Sequence, residues 1–492
     1  MTNVGIPFGE DEYCKQYWMK KLLTVETEIT HLCKWTDLQV SMILFRLCCV
    51  TQMNYMLRNI PFSASYAEEI KVKTSKLIQE GFKNLTGIQD AIKDDDNNWW
   101  EQATLPCTKG GFGLPDPIQI HKVSFLASEV NSIKLMTTLT RKQLIVPDDE
   151  LFLFSNDAKR CFTDFVLDKE NYKDIYDLCE EDFNLQHLLV GQHQQLKRDN
   201  LLQKSDNIRI RINSASNEGS YLITAIPKFD NLKISNPLQM RERWCARLGL
   251  RIDYIKPIEC LCSRKIDKKT KKKRIPVFLD TKGVHLNSIC PCGNQRQQTH
   301  DTIKMELYKL IKACGYFNCA IEDNTLIKNI DNTINKRVDL NIFQFSGNKS
   351  MGIDISVTDP RCPAFRDSTK PGSAAKLAEK KKISKYELFY TNDFFEPFVM
   401  EALGRWGERA NTLFQILIQQ LHVIQSYIPE ETLMTYWKTR ISVAMHKAAS
   451  KGCFDRYTLC SKTNGSKRNT SYYFNDIPDE EDLVDFNKIR SD

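Results

Sequence analysis

The segment 300–390 constrains the fold most, because its hydrophobic pattern changes from helix to strand and back to helix. HDTIKMELYKLIKAC has helical spacing, RVDLNIFQF and MGIDISV alternate as strands do around the turn SGNKS, and SAAKLAEKKKISKYELFY is helical again. This order predicts a small α/β unit built around a β-hairpin.

The pattern elsewhere is mainly helical. Apolar positions three and four apart recur through residues 1–90, and helices are expected over 120–137 and 157–195. IRIRI and YLITAI, within residues 207–226, alternate as short strands do. One apolar stripe from Val399 to Ile428 predicts a long helix, and Pro429 begins a second. The expected fold class is therefore multidomain and mainly α with an α/β part.

Composition excludes several classes of protein. With 41% hydrophobic and 27% charged residues and a mean hydropathy of −0.42, the 492-residue chain is expected to be soluble and globular, with several domains. Its most apolar stretch, near Val40 to Val50, is interrupted by Arg46, so we expect no membrane span and no membrane partner. We expect no signal peptide, and the 17 scattered cysteines favour a reducing compartment.

The positive charge is concentrated in one segment, RKIDKKTKKKR at 264–274. Its net charge of +7 equals that of the whole chain, so the remainder is neutral overall. Its basic residues are Arg264, Lys265, Lys268, Lys269, Lys271, Lys272, Lys273 and Arg274. Three interpretations are open: a solvated charge run, a loop that contacts nucleic-acid phosphates, and a nuclear import signal. The last two are compatible with each other.

Cysteine and histidine residues bracket this basic segment. Cys260 and Cys262 precede it, and His285 and Cys290 follow it. Two close pairs of thiolate and imidazole donors suit a structural, tetrahedral Zn²⁺ ion, because each pair supplies one side of the site. The alternative is a set of buried free cysteines beside a surface histidine. The reserve ligands are Cys292 and His300.

Two aspartates lie on opposite arms of the expected hairpin. With the turn centred on residues 347–348, Asp339 would face Ser356 and Asp354 would face Asn341. The two carboxylates would then lie diagonally on one face, with Cβ atoms somewhat under ~7–8 Å apart, close enough to share one Mg²⁺ ion. A slip of one residue would put them on opposite faces.

The helix after the hairpin carries two further candidates. Lys382 and Tyr386 are four residues apart and project from the same helical face. Lys382 could hold the attacking water or the developing charge, and Tyr386 could orient the bound strand. Glu306 and Glu322 are candidate accessory acids. A metal at the aspartates would suit phosphodiester cleavage, whereas the alternative is a surface hairpin with ordinary solvated aspartates.

Several stretches together resemble the C-terminal half of the polyprotein of non-LTR retrotransposons that carry a restriction-like endonuclease. RVDL followed by GIDISVT resembles the (R/K)PD … D-V-x-V core of a PD-(D/E)xK nuclease, and KKISKY resembles its downstream helix with a lysine and a tyrosine. The cysteine–histidine group resembles the zinc knuckle before that nuclease. VSMILFRLCCVTQMNYMLRNIPF resembles a reverse-transcriptase thumb, and LPCTKGGFGLPDP with SFLAS resembles the segment after it.

The chain departs from the family pattern at three points. Val338 replaces the proline of the PD motif, and Ser356 replaces the strand lysine, which leaves Lys382 as the candidate lysine. No Y/F-x-D-D polymerase signature precedes the thumb-like region, so we expect no polymerase activity. The expected domains are a helical thumb-like region at 1–98, a helical linker region with short strands at 99–250, a zinc knuckle with its basic loop at 251–300, a restriction-like endonuclease core at 301–395, a C-terminal helical pair at 396–460 and a polar, acidic tail at 461–492.

The resemblance implies a Mg²⁺-dependent DNA endonuclease that nicks one strand through Asp339 and Asp354. Such a nick would prime reverse transcription by a reverse transcriptase supplied in trans, in the nucleus, with RNA or an RNA–DNA hybrid as further partners. Two other hypotheses are open. One is a non-catalytic nucleic-acid-binding protein that keeps the nuclease fold as a scaffold, and the other is a decayed fragment without a present function.

Overall fold

The structure is a computed structural model of the chain, and it describes residues 2–3, 6–92, 98–143, 154–180, 184–264, 275–290, 295–325, 336–365, 369–390 and 392–463. Residues 265–274 of the basic segment lie outside this part of the chain, as do the acidic end of the tail and Cys292. The described residues are mainly helical with a small α/β part, as the sequence predicts, and the sheet of this part is a mixed one of four strands.

The described α-helices follow one another along most of the chain. They are α1 (Asp11–Leu32), α2 (Leu38–Leu44), α3 (Val50–Leu57), α4 (Ala67–Thr86), α5 (Gln89–Ile92), α6 (Trp99–Ala103), α7 (Pro117–Gln143), α8 (Asn156–Phe165), α9 (Leu185–Lys204), α10 (Asp206–Ala215), α11 (Tyr221–Thr224), α12 (Pro237–Leu248), α13 (Gln295–Ala313), α14 (Ser373–Tyr386), α15 (Glu408–Ile424) and α16 (Glu430–Thr463). A π-helical turn, Phe45–Cys49, joins α2 to α3.

The strands form two sheets. A short N-terminal pair consists of β1 (Thr2–Asn3) and β2 (Ile6–Pro7). The larger sheet has the order β3–β4–β5–β6, in which β3, β4 and β5 are antiparallel and β6 runs parallel to β5. Its strands are β3 (Cys319–Ile321), β4 (Leu340–Ser346), β5 (Lys349–Thr358) and β6 (Phe394–Glu401). Helix α14 makes the crossover between β5 and β6 that parallel pairing requires.

Helices cover both faces of this sheet. Ile353 and Ile355 of β5 lie on the face that packs against α13, α15 and α16, in a core that also contains Trp437. On the opposite face, Ala375 of α14 packs against Val399 of β6. Side chains alternate between the faces along a strand, so Asp354 lies on the α14 side. The sheet therefore presents Asp354 to the helix that carries Lys382.

A second core lies in the N-terminal half and includes the predicted zinc ligands. Helices α1 to α4 pack together through residues such as Trp18, Phe45 and Phe82. Cys260 belongs to the same core, and so does Cys453 of α16. Helix α16 contributes its first half to the core of the sheet and its second half to this core. One long helix thus joins the two parts of the molecule.

The register of the hairpin differs by two residues from the register that the sequence predicts. Ser346 pairs with Lys349 as expected, but Ile342 pairs with Met351 because β4 holds two extra residues in an irregularity between them. Gln344, within it, has the left-handed φ of 54°. A shift by an even number of residues keeps each side chain on the same face of the sheet. Asp339 and Asp354 therefore share a face as predicted, but the residues predicted to lie opposite them were wrong.

Three predicted elements have a different structure. The helix predicted over 157–195 is interrupted, because α8 ends at Phe165 and the next α-helix begins at Leu185, with a short 3₁₀ turn at Ile175–Cys179 between them. Residues 207–226 contain α10 and α11 rather than strands. Ser205 caps the beginning of α10. Because α10 is buried on most sides, its apolar residues do not follow a helical stripe, and their alternation in the sequence resembled that of a strand. The stripe that starts at Val399 begins in β6, not in a helix, so the predicted boundary at 395 falls inside this strand. Pro397 fits there because β6 is an edge strand.

One described helical stretch, Leu38–Leu57, is long and apolar enough to cross a membrane by length and composition. In its most apolar window, 44% of the residues are buried inside the protein. Phe45 and Met53 are fully buried, and the guanidinium of Arg46 donates to the carbonyl of Ile223 at 2.9 Å. These contacts are typical of a core helix.

Candidate functional site

The four predicted zinc ligands lie together. The ligand atoms of Cys260, Cys262, His285 and Cys290 are all within 4.8 Å of one another, and all four residues are buried. The Sγ atoms of Cys260 and Cys290 are 3.5 Å apart, and Cys262 Sγ is 3.4 Å from His285 Nε2. Ligands ~2.3 Å from one tetrahedral Zn²⁺ ion would be ~3.7 Å apart. This buried Cys₃His group could therefore bind a metal such as zinc.

Local backbone contacts bring these ligands together. The Cys260 amide donates to Val277 O at 2.7 Å and the Leu279 amide to Ile258 O at 2.9 Å, so two short extended segments close the base of the basic loop. Asp280 then caps the turn His285–Ile289 by accepting from the Val284 and His285 amides. Loop closure and capping place the two ligand pairs opposite each other.

A metal ion at this group would require deprotonated thiols. Burial raises the pKa of Cys262 to about 12, so without a cation this thiol stays protonated, whereas a bound metal ion would deprotonate it. Arg456 of α16 donates to Cys290 Sγ at 3.7 Å. A contact with Cys260 lowers the pKa of Cys460, also on α16, to about 7. Sequence spacing missed Arg456 and Cys460 because they lie far along the chain.

His300, a reserve zinc ligand in the sequence prediction, lies elsewhere. Helix α13 carries it to the start of β4, where its Nε2 is 3.0 Å from Asp339 Oδ2. Its Nδ1 is 3.2 Å from Asp301 Oδ1. The prediction of His300 as a reserve ligand of the cysteine group was therefore wrong, because α13 directs this ring toward the sheet.

Asp339 directly precedes β4, at the point where β5 extends beyond its pairing with β4 and remains paired only with β6. Its amide donates to Ile353 O at 3.0 Å, and its Oδ2 accepts from the Ile355 amide at 2.6 Å. Burial alone would raise the pKa of Asp339, but His300, the Ile355 amide and Lys382 together hold it below its usual value. This carboxylate is thus ionised and held against the backbone next to Asp354.

Asp354 contacts both candidates from α14. Lys382 forms an ion pair with Asp354 Oδ2, and the Tyr386 hydroxyl donates to Oδ1 at 3.2 Å. The Lys382 ammonium is also 3.4 Å from Ile355 O. Burial raises the pKa of Asp354, and the nearby charge of Asp339 raises it further, against the opposing effect of Lys382. A divalent cation between the two carboxylates would relieve the repulsion between their negative charges. Carboxylate oxygens are also the donors that a hard cation such as Mg²⁺ prefers.

The two candidate accessory acids, Glu322 and Glu306, lie in different places. Glu322 lines the same cleft as the aspartates; it has a left-handed φ of 55°, its amide donates to Asp339 O at 2.9 Å, and it pairs with Lys304 and Arg337 at 2.8 Å each. Glu306 instead forms an ion pair with Arg440, between α13 and α16. Glu306 thus stabilises helix packing and does not contact the aspartates.

A large, basic cleft contains these residues. Its volume is about 1390 Å³, which exceeds the space that one small ligand needs. The basic residues that line it are Arg243, Arg296, His300, Lys336, Arg337, Arg361, Lys381, Lys382 and Lys385, and the acidic ones are Glu322, Asp339, Asp354 and Asp359. An open cleft with excess positive charge around two carboxylates suits a polyanion.

The cleft also reaches the cysteine group. Cys290 and Ser288 are among the residues that line it, and the Ser288 hydroxyl donates to Asp359 Oδ2 at 2.6 Å. Asp359 follows β5 directly and forms an ion pair with Arg361 at 2.7 Å. One hydrogen bond, from Ser288 to Asp359, thus connects the turn before Cys290 to the end of the strand that carries Asp354.

The function has to be inferred from the geometry and charge of this cleft. Its four best-placed side chains are Asp339, Asp354, Lys382 and His300. No protein-family model matches the chain, and no curated protein matches it.

Proposed function

We propose that the chain is a metal-dependent endonuclease that nicks a DNA strand in the basic cleft. The observation that carries the proposal is the convergence of Asp339, Asp354 and Lys382, two carboxylates and an ammonium, at the edge of one sheet. Asp339 and Asp354 would hold a Mg²⁺ ion, and their donors are oxygens, as this ion prefers. When bound, Mg²⁺ would polarise the scissile phosphate and the attacking water.

Four residues of α14 would act beside this metal. Lys382 would orient the attacking water or neutralise charge that develops on the phosphate. The Tyr386 hydroxyl is 2.7 Å from Arg337 O and 3.2 Å from Asp354 Oδ1, so it shares its one proton between these two acceptors. Tyr386 would hold Asp354 in position and so orient the strand indirectly. The exposed Lys381 and Lys385 would contact neighbouring phosphates and would add affinity without sequence preference.

We further propose a structural Zn²⁺ ion at the Cys₃His group and a retrotransposon origin for the chain. Supporting this origin is the order of the thumb-like, knuckle-like and nuclease-like stretches along the sequence. In that setting the nick would prime reverse transcription by an enzyme acting in trans. The basic segment 264–274 would then serve for nuclear import and phosphate contact.

Lys382→Met should slow nicking by about 10²-fold without weakening divalent-cation binding. The ammonium is lost from the reaction site, but its repulsion of a metal at Asp354 Oδ2 is lost as well. Plasmid-nicking rates and Mn²⁺ titration of the same samples measure the two effects. Lys376→Met, on the exposed side of α14, is the control. Unchanged nicking by the Lys382 variant would remove this residue from the mechanism.

A non-catalytic nucleic-acid-binding function is the second candidate, and the excess of basic residues in the cleft favours it too. Replacing residues 271–274 with alanine should reduce the slope of log affinity against log salt for duplex DNA by about 3 to 4, since each phosphate contact contributes about 0.9. The control removes Lys15, Lys20, Lys21 and Lys34 from the region of α1. An unchanged slope would show that the basic segment does not touch phosphates.

A further inference from the structure

We propose that His300 is a nitrogen ligand of the divalent cation held by Asp339 and Asp354, so that the cleft binds Mn²⁺ more tightly than Mg²⁺. This inference rests on the proposed function, because it concerns the same metal. It also assigns the cleft a residue that sequence spacing had grouped with the zinc ligands.

The first argument is distance. His300 Nε2 and Asp339 Oδ2 are 3.0 Å apart. Two donors ~2.1 Å from one octahedral ion and at right angles around it are ~3.0 Å apart. The ring nitrogen and the carboxylate oxygen therefore already have the separation of neighbouring ligands.

The second argument is the environment of the other ring nitrogen. A histidine that binds a metal through one nitrogen generally donates its other N–H to a carboxylate, which fixes the tautomer. His300 Nδ1 is 3.2 Å from Asp301 Oδ1, and Asp301 is held in turn by Lys304 at 2.9 Å and Gln297 at 2.9 Å. The arrangement is that of a ligand whose orientation is fixed by its neighbours.

Metal preference follows from donor type. Mg²⁺ requires hard oxygen donors and keeps much of its water, whereas first-row transition ions accept imidazole nitrogen. One nitrogen among carboxylate oxygens therefore shifts the site from Mg²⁺ toward Mn²⁺. We expect at least a tenfold difference in dissociation constant between the two ions.

Pulsed electron paramagnetic resonance of Mn²⁺ tests the proposal directly. The full chain is first loaded with one equivalent of Zn²⁺, so that the thiolate-rich Cys₃His group is filled and the cleft stays free, and is then titrated with Mn²⁺. Wild-type protein should show ¹⁴N modulation from a coordinated imidazole. His300→Ala should lose this signal and bind Mn²⁺ about 10- to 100-fold more weakly, and Asp301→Asn should weaken binding about tenfold.

Two further variants separate ligation from structural support. His300→Asp should lose the ¹⁴N signal but keep a Mn²⁺ site, with the preference for Mn²⁺ over Mg²⁺ reduced, which a purely structural role of His300 would not produce. His187→Ala removes an exposed imidazole on α9 and should change neither result.

The outcomes distinguish this inference from the proposed function. A ¹⁴N signal that persists in His300→Ala, or Mn²⁺ bound through Asp339 without any such signal, would show that His300 only pairs with Asp339, and the inference would be overturned. Binding that is indifferent to Asp339→Asn and Asp354→Asn would instead overturn the shared metal site and, with it, both proposals.

Discussion

Asp354→Asn should reduce Mg²⁺-dependent nicking of supercoiled plasmid by about 10³-fold or more, a larger effect than loss of an outer-sphere residue gives. The amide has nearly the same shape and can still accept from Tyr386, so the fold should persist. What is lost is the negative charge that pairs with Lys382 and would hold the metal. Nicking rates and thermal unfolding of the purified variant give the two readouts.

The matched control is an aspartate that precedes β6 and contacts the opposite end of β5. Asp393 accepts from the Ser350 amide at 2.7 Å and so supports β5 without entering the cleft. Asp393→Asn should nick at nearly the wild-type rate. If the Asp354 variant also nicks at that rate, the enzyme hypothesis is lost, and retained affinity for duplex DNA would then favour the non-catalytic binding protein.

If the Cys₃His group holds zinc as proposed, Cys262→Ser and His285→Ala should each abolish zinc binding and destabilise the N-terminal core. Metal analysis should find about one Zn²⁺ per wild-type chain and almost none in either variant. Structural zinc contributes on the order of 10 kcal/mol in small zinc domains, so the first unfolding transition should fall by about 10 °C or more. The effect should spread beyond the knuckle, because Cys260 and Cys290 belong to the core formed by α1 to α4.

Cys33→Ser is the control for these two variants. Cys33 is a half-buried cysteine that packs against the same core, but it lies outside the metal-binding group. Its replacement should leave the zinc content unchanged and lower stability only slightly. A full complement of zinc in both Cys262→Ser and His285→Ala would mean that other residues hold the ion.

The sequence predicted the hairpin and the α14 pair well because local patterns determine both. Strand alternation placed Asp339 and Asp354 on one face, and the four-residue spacing placed Lys382 and Tyr386 together. The two extra residues of β4 lie within Phe343–Gln344–Phe345, where aromatic and polar residues alternate as in a regular strand, so the exact partners were missed. The prediction that both aspartates lie on one face of the sheet was still right, because a shift by two residues does not move a side chain to the other face.

The same local patterns could not predict contacts between residues that are far apart in the sequence. His300 follows the zinc ligands closely in sequence, but α13 carries it to Asp339, and only the packing of that helix on the sheet reveals the contact. Strand β6 was hidden because FFEPFVME contains Pro397, tolerated there by the edge position, and because its apolar residues run on into α15.

The most direct measurement of the central claim is anomalous diffraction from crystals of the zinc-loaded chain grown with Mn²⁺. The account predicts a Mn²⁺ peak about 2.0–2.3 Å from a carboxylate oxygen of Asp339 and of Asp354, with the Lys382 ammonium displaced from Asp354. A cleft in which Lys382 still pairs with Asp354 and no Mn²⁺ lies between the two carboxylates at saturating concentration would contradict it.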